Sequence, residues 1–102
     1  MKRFLLRKSE RAMEILQTRS FKNSVKKLHK QQLKDLEKAI RGIMQDPLVG
    51  EMKKGDLSGV RVYKFKMVNQ LTLLAYQFEE DVLQLILLAL GSHENFYRDL
   101  KN

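Results

Sequence analysis

Between Phe21 and Met44 the apolar residues return every three or four positions, and after residue 48 the period shortens to two, so helices precede strands. Phe21, Val25 and Leu28 share one helical face, Lys22, Lys26 and Lys27 point outward, and Ser20 is placed to cap this first helix. Leu33, Leu36, Ile40, Ile43 and Met44 mark a second helix after His29-Lys30. Asp46-Pro47 ends it, because the residue before a proline avoids helical geometry. The pair predicts a helical hairpin. Ahead of it, Glu14-Ile15-Leu16-Gln17-Thr18-Arg19 reads as a short strand, edge or central.

The stretch Lys53-Lys54-Gly55-Asp56-Leu57-Ser58-Gly59 is turn-rich, its glycines permitting positive backbone angles. In Arg61 to Met67, Tyr63, Phe65 and Met67 share one face and Val62, Lys64 and Lys66 the other, which separates a core face from a basic face. Leu71 to Phe78 is a more continuous apolar strand, and Glu79-Glu80-Asp81 turns the chain into another from Val82 to Leu90. Glu94 to Lys101 closes the chain as a short helix starting near Ser92 or Asn95, with Phe96 and Leu100 one turn apart. The sum is an α+β domain: an antiparallel sheet of about four strands, the N-terminal helical hairpin packed on it, and a short C-terminal helix.

Composition narrows the function classes. A chain of 102 residues, 43% hydrophobic, buries one core and little more. It has no cysteine, and His29 and His93 are its two histidines, so neither a disulfide scaffold nor a thiolate or histidine-rich metal centre is available. No metal and no cofactor are expected. Phe4-Leu5-Leu6 falls short of a signal-peptide core and Val82 to Leu90 is too short to span a bilayer, which reads as a cytoplasmic protein away from the membrane. The formal charge of +8 is concentrated before Met67 and suits phosphate backbones or an acidic protein, although a solvated surface fits the composition equally well.

The order of elements, the loop Lys54-Gly55-Asp56-Leu57-Ser58-Gly59-Val60-Arg61, the strand ending Ala75-Tyr76 and the segment Gly91-Ser92-His93 together resemble the RelE/ParE superfamily of bacterial toxins, its RelE-like and YafQ-like members above all. The likeness covers residues 13 to 101; residues 1–12 have no counterpart and read as an N-terminal extension to a single domain of residues 13–102. It implies a toxin of a type II toxin-antitoxin system, in the RelE-like branch a ribosome-dependent mRNA endonuclease that works without a metal. In the ParE-like branch the target is DNA gyrase, and a third possibility is a basic binding module without catalysis. A cognate antitoxin is the implied partner, with operator DNA bound only through the toxin-antitoxin complex.

The same resemblance nominates the site. His93 stands where YafQ-like toxins carry a catalytic histidine and would transfer protons near neutrality, unless it caps the closing helix or bonds the sheet edge. Lys54, Arg61 and Lys64 would stabilise charge on the phosphorane, while Lys53, Lys54, Lys64, Lys66 and Arg98 would hold RNA. Lys64 replaces a family histidine, which puts a two-histidine mechanism in doubt. Arg61 has the further options of tying a loop carbonyl or pairing with Asp56. Tyr97 sits where relatives stack an aromatic on a base, whereas Phe96, with Leu100 as its partner, belongs to the core. Leu71-Thr72-Leu73-Leu74 stands where RelE-like toxins have an arginine, and Glu51 lies near a YafQ-like histidine position.

Overall fold

A computed structural model describes residues 13–92 together with Phe96, Tyr97 and Leu100. His93, Asn95, Arg98 and the extension assigned to residues 1–12 lie outside the described residues. The chain enters through a strand, Glu14–Gln17 (β1), and passes directly into a helix, Arg19–Lys26 (α1). Thr18, not Ser20, is the cap: its Oγ1 accepts from the Phe21 N–H at 3.1 Å and donates to the Leu88 carbonyl at 2.7 Å. One hydroxyl thus serves a free helix donor and a strand carbonyl 70 residues away. Ser20 falls inside the helix and is exposed.

The second helix, Lys30–Gln45 (α2), buries Leu36, Ala39, Ile40 and Ile43 against the sheet. At its start the Gln32 side chain accepts from the His29 N–H at 3.0 Å; at its end Asp46 N–H reaches back to the Gly42 and Ile43 carbonyls before Pro47. Four further strands follow, Glu51–Met52 (β2), Arg61–Met67 (β3), Gln70–Glu79 (β4) and Gln84–Gly91 (β5). They assemble with β1 into one five-stranded sheet in the order β1-β5-β4-β3-β2. The α+β class therefore holds, with five strands in place of about four. β2 to β5 are antiparallel neighbours, whereas β1 pairs with β5 in parallel, because two helices rather than a tight turn carry the chain away from it.

The last strand begins at Gln84 and not at Val82. Glu80–Val82 form a 3-10 turn that Leu83 closes at φ 50, which leaves Val82 in solvent. The β3–β4 hairpin turns at Val68 and Asn69, both left-handed at φ 50 and 64, and the Asp35 carboxylate of α2 accepts from the Val68 N–H at 2.8 Å.

Both faces of the sheet are covered. On one, Ile15, Met67, Leu74, Tyr76, Leu85 and Leu87 meet Phe21, Leu36, Ile40 and Ile43 of the helices, α1 lying over β5 and α2 over β3. On the other, Val60, Val62, Leu73, Ala75 and Ala89 pack beneath Phe96. A bulge opposite Ala75 and Tyr76 leaves Leu88 unpaired, so Leu88 and Ala89 both join this second cluster. The alternation in β3 is confirmed for Met67 and for exposed Lys64 and Lys66, but Val62 is buried, since Phe96 covers that end of the basic face. Among the described residues no helix is long and apolar enough to cross a membrane.

Candidate functional site

The sheet face turned away from the helices carries three of the cations nominated above, Lys53, Lys64 and Lys66. Pairing Glu51 with Val62 puts Glu51 and Lys53 on the same face as Lys64 and Lys66, since side chains alternate along a strand. Lys53 N–H donates to the Val60 carbonyl at 2.9 Å, which fixes the backbone from which the lysine projects. Its ammonium lies 3.4 Å from a Glu51 carboxylate oxygen and 5.4 Å from the centroid of the Tyr97 ring. Tyr97 in turn meets Phe96 edge-on, 5.1 Å between centroids. Partial burial alone would lower the Lys53 ammonium, but its hydrogen bond to Tyr97 and the charge of Glu51 outweigh that and hold it above its ordinary value. It stays a cation.

Lys54, Lys64 and Lys66 are exposed and pair with no carboxylate among the described residues. Lys64 is opposite Leu73, and Leu73 is opposite Gly91, so the end of β5 and Ser92 lie two strand spacings, about 10 Å, from the Lys64 row. A backbone that is polyanionic and single-stranded fits such a surface: separated cations for phosphates, and an aromatic ring for a base. Among the described residues no group of three or more His, Cys, Asp or Glu side chains is placed to hold a metal ion.

Arg61 is not brought to this face. Its Nη1 donates to the Leu48 carbonyl at 3.1 Å and the Gly50 carbonyl at 2.9 Å, the loop-tying option raised from the sequence. The register gives the reason: Arg61 shares a face with Tyr63 and Phe65, on the helix side. Tyr76 reinforces the same loop, a role the sequence reading missed. Its hydroxyl is fully buried, donates to the Pro47 carbonyl at 2.7 Å and accepts from the Gly50 N–H at 2.9 Å. A tyrosine inside a continuous apolar strand has to find a partner for its oxygen, and that was the available signal. Burial pushes its phenol up, against the opposing pull of the Gly50 N–H and the Arg61 charge, so it is neutral. Gly50 has no room for a side chain, since a Cβ there would lie 2.9 Å from the Tyr76 ring and hydroxyl.

Arg61 and Tyr76 thus clamp residues 47–50, the segment that leads into β2 and on to Lys53 and Lys54. The backbone that leads to Lys53 and Lys54 is therefore anchored from the opposite side of the sheet.

Comparison with known proteins agrees with this architecture. No curated protein matches the sequence. A chain of the intact E. coli RelBE toxin-antitoxin complex superposes with a TM-score of 0.65 at 18% identity, over 81% of this chain and 99% of that one. A chain of the Mycobacterium tuberculosis RelBE2 toxin-antitoxin complex gives 0.65 at 18% identity, over 79% and 98%. The YoeB/ParE toxin from Agrobacterium tumefaciens gives 0.64 at 17% identity, over 79% and 99%. These similarities concern the fold. Residues 15–101 match the sequence profile of the ParE-like toxin of type II bacterial toxin-antitoxin systems, and the chain belongs to that family.

Proposed function

We propose that this toxin cuts mRNA held on the ribosome and is neutralised by a cognate antitoxin. The observation that carries the reading is the shared sheet face, on which Lys53 beside Tyr97 and the exposed Lys64 and Lys66 lie two strands from the end of β5, where the sequence continues into His93. In the reaction the ribose 2′-hydroxyl loses its proton and attacks the adjacent phosphorus. The bond to the 5′-oxygen breaks, that oxygen gains a proton, and a 2′,3′-cyclic phosphate remains. His93 moves protons, Lys54 and Lys64 hold the charge of the phosphorane, Lys53, Lys66 and Arg98 grip flanking phosphates, and Tyr97 stacks on a base. Arg61 acts as a positioning residue through the loop it ties.

The E. coli and M. tuberculosis relatives were seen as toxin-antitoxin complexes, which supports a protein antitoxin as partner here. The match to a ParE-like profile favours DNA gyrase as the competing target. Mapping 5′ ends of cellular mRNA after induction, with gyrase-dependent supercoiling assayed in parallel, separates the two. The expected result is new ends inside translated frames, lost in His93→Ala. Intact mRNA with blocked supercoiling would transfer the protein to the gyrase reading.

A further inference from the structure

The helix hairpin, on the far side of the sheet, carries a second cationic surface that the proposed chemistry does not use. Along α2, Lys30, Lys34, Lys38 and Arg41 follow one another at intervals of four, four and three, and all are exposed. At 3.6 residues per turn they fall within an arc of about 80° facing away from Leu36, Ile40 and Ile43, and span about 16 Å of helix. Lys26 and Lys27, also exposed, extend the row at the corner where α1 gives way to α2.

This arrangement works against the helix that bears it. Neighbouring like charges one turn apart repel. Neither α1 nor α2 has an acidic residue in its first turn, α2 has no basic residue in its last, and Lys30 sits at the positive end of the helix dipole. Two carboxylates stand close to the row, Glu37 between Lys34 and Arg41 and Asp35 one turn before Lys38, and neither forms a direct ion pair with it among the described residues. Asp35 accepts from the Val68 N–H and from Gln31, and Glu37 makes no ion pair among the described residues.

We propose that the outer face of α2 binds the phosphate backbone of a double-helical RNA segment, so that the toxin grips RNA on both sides of its sheet. A row of cations spaced about 5–6 Å apart on a rigid rod matches a regular phosphate ridge, whereas the opposite face, with its aromatic ring, suits an unpaired strand. The inference rests on the RNA reading above only in naming RNA as the polyanion.

The test is binding of a blunt 20-base-pair RNA duplex by fluorescence anisotropy over a range of salt concentrations, using wild type, the quadruple variant K30Q/K34Q/K38Q/R41Q, and K64Q/K66Q. Glutamine is a good helix former, and circular dichroism checks that α2 persists. The quadruple variant is expected to bind the duplex at least about tenfold more weakly and to lose about 3–4 from the slope of log affinity against log salt, at roughly 0.9 per phosphate contact. K64Q/K66Q, on the opposite face, is expected to lose less duplex affinity per charge removed than the quadruple variant. Unchanged duplex affinity in the quadruple variant overturns the proposal. So does a variant that keeps the duplex but loses poly-glutamate, which would make α2 a dock for an acidic protein. Cleavage is scored separately in cells, so failure of the nuclease reading leaves a distinct signature: no new mRNA ends, with duplex binding still responding to the α2 variant.

Discussion

Replacing Tyr76 by phenylalanine deletes one oxygen from the interior and leaves the packing of the ring almost unchanged. Two partners are orphaned. The Gly50 N–H is in a buried setting, where an unsatisfied donor costs about 1–3 kcal/mol. The Pro47 carbonyl is half-buried and within reach of water, so its loss is nearer about 0.5–1 kcal/mol. The expected total of about 2–4 kcal/mol is a large part of the stability of a small domain and lowers the thermal midpoint by roughly 10–20 °C. Urea titration is the assay, and the dependence on denaturant should keep its wild-type slope, because no surface is newly exposed. Arg61 secures the same four residues, so Arg61→Met and Tyr76→Phe are expected to be non-additive by about 0.5–3 kcal/mol in a double-mutant cycle. A loss below about 0.5 kcal/mol for Tyr76→Phe, or strict additivity with Arg61→Met, would refute the idea that one clamp holds residues 47–50.

Four further outcomes are expected. Gly50→Ala forces a methyl to within 2.9 Å of Tyr76 and 3.2 Å of the Arg61 Cβ, and should cost about 1–3 kcal/mol in the same titration. Val68→Asn should raise the thermal midpoint, by relieving a β-branched residue at φ 50 at a cost otherwise of about 1 kcal/mol; the side chain is 43% exposed and loses little packing. Thr18→Ala should destabilise by about 1–2 kcal/mol and Thr18→Ser by clearly less, since serine keeps both hydrogen bonds. Tyr76 and Lys53 both hold their protons more tightly in the folded chain than at their ordinary values of 10.0 and 10.5. The stability they contribute is therefore complete below about pH 10 and declines as pH rises through their folded values, and Tyr76→Phe should flatten that decline.

Elements defined by local periodicity were legible in the sequence. The second helix ends where Pro47 says it must, and β3 and β4 alternate or fill as their composition indicates. Features decided by distant partners were not. Thr18 and Ser20 are chemically equivalent as caps, and the choice falls to the one whose hydroxyl also meets the Leu88 carbonyl. The parallel pairing of β1 with β5 has no local signature, and β2 is too short at two residues to show a period. Burial of Val62 was foreshadowed by β4, whose unbroken apolar run is that of a strand covered on both faces, but what covers it is Phe96, far along the chain. In the site, the lysines followed from alternation along β3. Arg61 could not be assigned, because whether a guanidinium meets a phosphate or a loop carbonyl depends on where residues 48–50 pass.

The parallel ladder between β1 and β5 also sets a clock on the protein's own production. Glu14 waits for Gln84, 70 residues downstream, and at about 5–20 residues per second that is roughly 4–14 seconds in which the first strand has no neighbour. Nothing made earlier can substitute, because β5 also supplies the Leu88 carbonyl that completes the first helix cap. The sheet closes only after β5 has been made, so a chain terminated before that strand has no finished toxin fold to offer.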